Sequence, residues 1–289
     1  MGQKIPCVFC GSVTAPTSDE HVLPQHWKKH FPKESGTGLR VSTAQGITDR
    51  PPRKHITPFD MKVPNVCAPC NNGWMRLMDE AMKPLVFDLA NGVRRTLSST
   101  EVDSLIQWVT KVALVRSYAD RKSSMTFADN VFRRYYAQRT ETHHRSTQIA
   151  WCDEHDGALS ASTTLIRTGR PRGPLESSER EPANVISLKL GHLLIQCGLS
   201  TGSKWSTSSV RLMMTSSRQF VPGRLFPAVA GRPFRLPEQP LTEDEVDLVI
   251  EPLHLMGAAK YVGSPVPPDT TRLMGPLALH MPRVPNPPA

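Results

Sequence analysis

The chain has 289 residues, enough for one large domain or two, and its 38% hydrophobic content supplies a real core and excludes wholesale disorder. The formal net charge is +9. That balance favours a polyanionic partner such as nucleic acid over an acidic small molecule, with an ordinary basic protein as the plain alternative. There is no stretch of about 18 consecutive apolar residues, and Met1-Gly2-Gln3-Lys4-Ile5-Pro6 lacks the apolar run of a signal peptide, so a membrane protein is not expected.

Six cysteines are present. Four fall in two Cys-x-x-Cys pairs, Cys7/Cys10 and Cys67/Cys70, while Cys152 and Cys197 stand alone in apolar stretches. This distribution reads as a metal site plus buried thiols in a reducing cytoplasm rather than a set of disulfides. Two such pairs supply the four thiolates of a closed tetrahedral zinc site. A redox Cys-x-x-Cys is the competing reading, but it would not need a second pair. The pairs are 56 residues apart, from 11 to 66, where a compact four-cysteine ribbon leaves about 15 to 20. Something functional is expected between them.

That insertion opens on Ser18-Asp19-Glu20-His21-Val22-Leu23-Pro24. Val22 and Leu23 give strand character and Pro24 ends it. In a regular strand Asp19 and His21 share one face and Glu20 takes the other, and periodicity does not say which acid works with His21. A carboxylate that holds a divalent ion beside an imidazole that deprotonates water is the functional reading; a solvated acidic turn is the alternative. From residue 28 to 62 the chain is basic and short of apolar anchors, with Lys28, Lys29, Lys33, Arg40, Arg50, Arg53 and Lys54, which suits a phosphate-contacting loop. After Cys70 comes Asn71-Asn72-Gly73-Trp74, with Trp74, Leu77, Met78 and Ala81 at helical spacing. The expectation is an amphipathic helix starting just after the cysteine, capped by Asn71. Asn65 is expected to brace the loop.

Taken together, Cys-x-x-Cys, acid-His-x-x-Pro and Cys-x-x-Cys-Asn resemble the HNH endonuclease family in its zinc-stapled form. The resemblance covers about the first 85 residues and implies an N-terminal ββα-metal, treble-clef-like module with structural Zn²⁺ at Cys7, Cys10, Cys67 and Cys70. It implies His21 as general base and Glu20 and Asn71 as ligands of a catalytic Mg²⁺ or Mn²⁺, with Asp19 as the rival acid. The activity implied is metal-dependent hydrolysis of DNA phosphodiesters, with RNA left open as substrate, in phage defence, phage or mobile-element biology. A single such site cuts one strand, so double-strand breaks would call for a homodimer. The alternative function is a zinc-stabilised nucleic-acid or protein binding module without catalysis.

Beyond residue 93 the resemblance ends, and the expected organisation is a module over 1–93, an α+β accessory domain over 94–263 and a Pro-rich, disordered tail over 264–289. Ser98-x-x-Glu101 is a capping box that opens a helix to about Ala119, with Val102, Leu105, Ile106, Val109, Val112 and Ala113 as its apolar stripe. A short helix follows over 128–138, with Phe132, Tyr135 and Tyr136 inward and Arg133, Arg134 and Arg139 outward. From Thr147 the period shifts toward two, predicting antiparallel strands at Ile149 to Cys152, Leu159 to Ile166, Val185 to Leu190, Leu193 to Cys197 and Val210 to Met214. Leu190-Gly191-His192-Leu193 is read as a hairpin or bulge, Asp153 to Asp156 as a turn, and Thr242-x-x-Glu245 as the start of a last capped helix.

Overall fold

In the computed structural model the described residues are 5–31, 40–43, 46–49, 59–119, 127, 129–138, 145–153, 160–168, 181–200, 207, 210–211, 214–215, 221 and 225–250. The protein is α+β, a mixture of helices and antiparallel sheet. Residues 154–156 and the tail lie outside the described set, as does Arg139. Among the described residues no helix is long and apolar enough to cross a membrane.

Strand β1 (Thr17–His21) pairs antiparallel with β4 (Lys62–Cys67), from Thr17 opposite Cys67 to His21 opposite Lys62, with an irregularity between Ser18 and Glu20. The strand stops at His21: Val22 and Leu23, expected to extend it to Pro24, form a bend, and a 3₁₀ helix, Gln25–His30, follows and buries Trp27. Strands β2 (Arg40–Thr43) and β3 (Gly46–Asp49) form their own antiparallel pair within the basic insertion.

The helix after β4 departs from expectation. It starts at Ala68, before Cys70: α1 (Ala68–Cys70) runs into a π-helical turn, Asn71–Met75, and then α2 (Arg76–Ala90). Asn71 therefore has helical φ and ψ of −62° and −58° and is not an N-cap. Gly73, at φ −90° and ψ −111°, breaks the regular path and rotates the following residues. The buried stripe becomes Met75, Asp79, Met82, Val86 and Leu89, while Leu77, expected to be inward, is 61% exposed.

Short β5 (Thr96–Leu97) leads to α3 (Ser99–Ala119). Its capping box is formed: the Ser98 backbone N–H donates to Glu101 Oε2 at 2.9 Å and the Glu101 N–H to Ser98 Oγ at 3.3 Å. The whole stripe from Val102 to Ala113 is buried, and so are Trp108, Thr110, Lys111, Leu114 and Val115, so α3 is one-sided in its first turns and enclosed on all sides from Trp108 onward. Helix α4 (Asp129–Gln138) buries Phe132 and Tyr135 and exposes Arg133 and Arg134.

Strands β6 (Arg145–Trp151), β7 (Ser160–Thr168), β8 (Glu181–Leu190), β9 (Leu193–Ser200) and β10 (Leu225–Ala228) make one antiparallel sheet in the order β10-β6-β9-β8-β7. One face, with Ile149, Trp151, Ile186, Leu188, Ile195 and Cys197, joins the main core with α3; the other, with Ala150, Cys152 and Leu194, meets Val221, Leu241, Val246 and Val249. Both faces are buried in β8 and β9, where the polar Asn184, Ser187, Lys189 and Gln196 are enclosed among the apolar side chains. Strand β11 (Phe234–Arg235) pairs with β5, and α5 (Glu243–Ile250) opens on Thr242, whose N–H donates to Glu245 Oε2 at 2.9 Å. The strand expected over Val210 to Met214 is absent: Val210, Arg211 and Met214 are helical. Their side of the sheet is covered by a helical segment, so tertiary packing overrides the local β preference.

The turn between β8 and β9 anchors the sheet to the N-terminal region. Gly191 has φ +53°, and a Cβ there would lie 2.4 Å from the Ala90 carbonyl oxygen at the end of α2, so glycine alone fits. His192 N–H donates to that same carbonyl at 3.1 Å. One apolar cluster extends from Cys7 to Leu236, across residue 93.

Candidate metal centre

Cys7 and Cys10 sit on a tight turn closed by the Gly11 N–H donating to the Cys7 carbonyl at 2.8 Å, with Gly11 at φ +75°, a conformation that glycine takes without strain. Cys67 is the last residue of β4 and Cys70 the last of α1. The strand end and the first helical turn thereby carry the second pair to the first. The four ligand sulfurs lie within 4.8 Å of one another, Cys7 Sγ 3.9 Å from Cys70 Sγ and Cys10 Sγ 3.5 Å from Cys67 Sγ. Zn–S bonds of about 2.3 Å in a tetrahedron require sulfurs about 3.8 Å apart, so the set is already sized for that ion. The four cysteines form a cluster that can hold a metal ion such as zinc.

Charge within the cluster is divided unevenly. Burial works to raise the Cys7 thiol, but backbone hydrogen bonds from Cys10, Cys67 and Phe9 outweigh it and hold it below the ordinary value. Burial pushes Cys67 up to about 11 and Cys70 higher still. Four thiolates cannot be sustained side by side without a cation, and a divalent ion reverses that balance by deprotonating its ligands. Around the sulfurs, Phe9 packs edge-on to Trp74 and to Phe132 at 5.5 Å each, so α4 closes over the knuckle and leaves the exposed Arg133 guanidinium beside Gly11.

Next to this centre the irregular β1–β4 pair separates the acidic residues. Asp19 is exposed, with Oδ2 3.6 Å from Lys62 Nζ. His21 is half-buried; burial and then Lys62 lower its pKa against the opposing charges of Asp19 and Asp60, and its Nε2 is enclosed with no hydrogen-bond partner. Asn71 reaches back across the hinge, its amide nitrogen donating to Ser18 Oγ at 3.0 Å and to the Asp19 carbonyl at 3.4 Å. Asn65 braces the loop as expected: at φ +69° it donates to Tyr118 Oη at 3.0 Å, and its carbonyl accepts the Val8 N–H.

Glu20 turns the other way, into the core, at 4% exposure. Its Oε1 lies 3.7 Å from Lys111 Nζ, which is fully buried on α3 and also 2.9 Å from Asp79 Oδ1. Trp108 Nε1 donates to Asp79 Oδ1 at 2.9 Å. Burial raises the Glu20 carboxyl to about 7, Lys111 opposing and Asp79 adding to the rise. For Lys111 burial acts to lower the pKa, and the two carboxylates outweigh it and hold the ammonium charged. One cation faces two buried acids.

Sequence reasoning passed over Lys111, Asp79 and Trp108. The signal was there: Lys111 is the single charge between Ile106 and Val115, in the most apolar stretch of the helix. Among the described residues the four cysteines are the group of His, Cys, Asp or Glu that converges as a metal cluster; Asp19, Glu20 and His21 do not join a second one. Comparison of the chain with protein-family models, with curated proteins and with solved structures finds no match.

Proposed function

We propose that the N-terminal region is a zinc-stapled, metal-dependent endonuclease module of the HNH kind, acting on DNA phosphodiesters. The observation that carries this reading is the placement of His21: its Nε2 is enclosed and unpartnered on a strand two residues from Asp19, and Asn71, on the helix at the sulfur cluster, is hydrogen-bonded to that strand. Antiparallel pairing of β1 with β4 and a helix directly after β4 support the reading, with β2 and β3 inserted between the two strands. The net charge of +9 suits a phosphate-rich substrate.

In this reading zinc at the four thiolates fixes the scaffold and does no chemistry, since a four-sulfur site keeps no open position. A hard divalent ion prefers oxygen, and Asp19 with the amide oxygen of Asn71 supplies it; Glu20 is committed to Lys111. Such an ion contributes Lewis-acid stabilisation of the charge on the phosphate and the leaving oxygen. His21, neutral at neutral pH because burial and Lys62 lower its pKa, accepts the proton of the attacking water, worth about 10² to 10⁴ in rate.

A binding module without catalysis is the second reading, favoured by the burial of Glu20 against Lys111. Plasmid cleavage with Mg²⁺ or Mn²⁺, beside EDTA and beside His21→Ala, separates the two, with zinc content measured on each preparation. The nuclease reading expects nicking that EDTA stops and that a zinc-loaded His21→Ala lacks. Zinc-loaded wild type that binds DNA and cuts neither duplex, single strand nor RNA overturns it.

A further inference from the structure

We propose that Lys111, supported by Asp79 and Trp108, is a positioning residue that holds Asp19 and the half-buried His21 on the side of β1 away from the core ammonium by gripping Glu20 between them. For its catalytic arm the inference rests on the nuclease reading above.

The argument starts from strand geometry. Successive side chains of a strand point to opposite faces, so fixing one residue inward fixes its two neighbours outward, and a slip of one residue exchanges the faces. β1 needs such a pin. It spans only Thr17–His21, β4 is its one partner strand among the described residues, and the pairing is irregular between Ser18 and Glu20, where Asp19 sits. Two strands on their own specify a register poorly.

The grip on Glu20 is built for the task. Lys111 is 0% exposed and its ammonium is held by both Asp79 oxygens, at 2.9 and 3.0 Å, with Trp108 fixing the same carboxylate at 2.9 Å. The cation is therefore placed by α2 and α3 before Glu20 reaches it, and Glu20 Oε1 completes its surroundings at 3.7 Å. An inverted register would bury Asp19 and His21 against this ammonium and send Glu20 to solvent, leaving a buried cation short of one partner. Glu20 is thus an anchor of the pair, and the acid that faces the reacting side is Asp19.

The test uses full-length, zinc-loaded protein and four variants: Lys111→Met, Glu20→Gln, Asp19→Asn and the double variant Lys111→Met/Glu20→Leu, in which apolar side chains replace the ion pair. Lys111→Met is expected to lower kcat for plasmid nicking by about 10²-fold, the scale of a misplaced reacting group, and to raise the half-saturating Mn²⁺ concentration because Asp19 loses its facing together with His21, with KM for DNA unchanged. The double variant is expected to regain thermal stability without regaining kcat. Asp19→Asn is expected to raise the Mn²⁺ requirement, and Glu20→Gln to shift kcat and Mn²⁺ requirement in the same direction as Lys111→Met. A double variant that cuts like wild type makes Lys111 merely structural and overturns the inference. So does a Glu20→Gln protein that needs tenfold more Mn²⁺ while Lys111→Met needs no more than wild type, because Glu20 is then the ligand. If wild type itself cuts nothing, the nuclease reading falls and the grip is read directly, from acylation of His21 by diethyl pyrocarbonate followed by peptide mass spectrometry. A rate altered severalfold in the double variant supports the grip, and an unchanged rate overturns it.

Discussion

The sheet pair at the sulfur cluster and the five-stranded sheet meet the same requirement by different means. β8 and β9 carry side chains such as Ile186, Leu188, Leu193 and Ile195, each no more than 1% exposed, so apolar burial on two faces holds them. β1 and β4 are two short strands with an irregular register, and their buried side chains include an acid. A two-stranded pair buries too little to be stable by itself. It is held by four sulfurs at one end and by Lys111 at the middle. Val63 and Val66 of β4 join the main core, and at the sulfur cluster and around Glu20 directional and ionic contacts are added to that burial.

Metal removal is the harshest way to break that difference. Structural zinc contributes about 10 to 16 kcal/mol of apparent binding free energy in small domains at neutral pH. Chelation, or Cys70→Ser, is expected to abolish zinc content and to release the amides of β1 and β4 to rapid hydrogen exchange, while those of β9 stay protected. The zinc affinity should weaken as pH falls, because each thiolate must give up its place to a proton. Equal loss of protection in β9 would show that the two sheets stand or fall together.

The same contrast explains what the sequence makes legible. The cysteine pairs, both capping boxes and the β8–β9 hairpin are local patterns, each read within a few residues, and each is formed. Four of the five strands expected after Thr147 lie where alternation puts them. Local patterns fail where distant groups decide. Lys111 looks like an ordinary polar helix position, yet its partners lie 32 residues away at Asp79 and further off at Glu20, and no spacing rule joins them. Asn71 reads as an N-cap because Gly73 hides the fact that the helix has already begun at Ala68. The facing of Glu20 against Asp19 was left open by a period-two argument and is decided by the ammonium behind it.

The turn that ties β8 and β9 to the end of α2 allows a gentler test. At Gly191 a Cβ would meet the Ala90 carbonyl oxygen at 2.4 Å, and φ is +53°. Gly191→Ala is expected to cost about 1 to 3 kcal/mol in stability from backbone strain and forced separation of α2 from the hairpin. Zinc content should be unaffected. Denaturant unfolding followed in parallel with zinc release checks both; zinc lost in this variant at neutral pH would mean that α2 transmits strain from the large sheet to the sulfur cluster.

The smallest expected effect sharpens the view that α3 is placed by packing more than by its cap. Ser98→Ala removes the hydroxyl that accepts the Glu101 N–H, a change worth about 1 kcal/mol at an N-cap. The enclosed stripe from Val102 to Val115 holds the helix regardless, so α3 should persist and Lys111 should keep its partners. The effect has a pH signature. Hydrogen bonds from Ser98 N–H first, and the Arg95 side chain next, hold the Glu101 carboxyl below its ordinary value. A depressed carboxylate stabilises the fold above its unfolded pKa and loses that contribution as pH falls through the folded one. The stability gap between wild type and Ser98→Ala should therefore be full at neutral pH and shrink in acid, as Glu101 takes a proton and weakens the hydrogen bond that Ser98 Oγ donates to its Oε2 at 3.0 Å, the one carboxylate contact that the variant lacks. A gap that stays constant from pH 7 to pH 3 in thermal unfolding would show that the hydroxyl acts without its carboxylate partner.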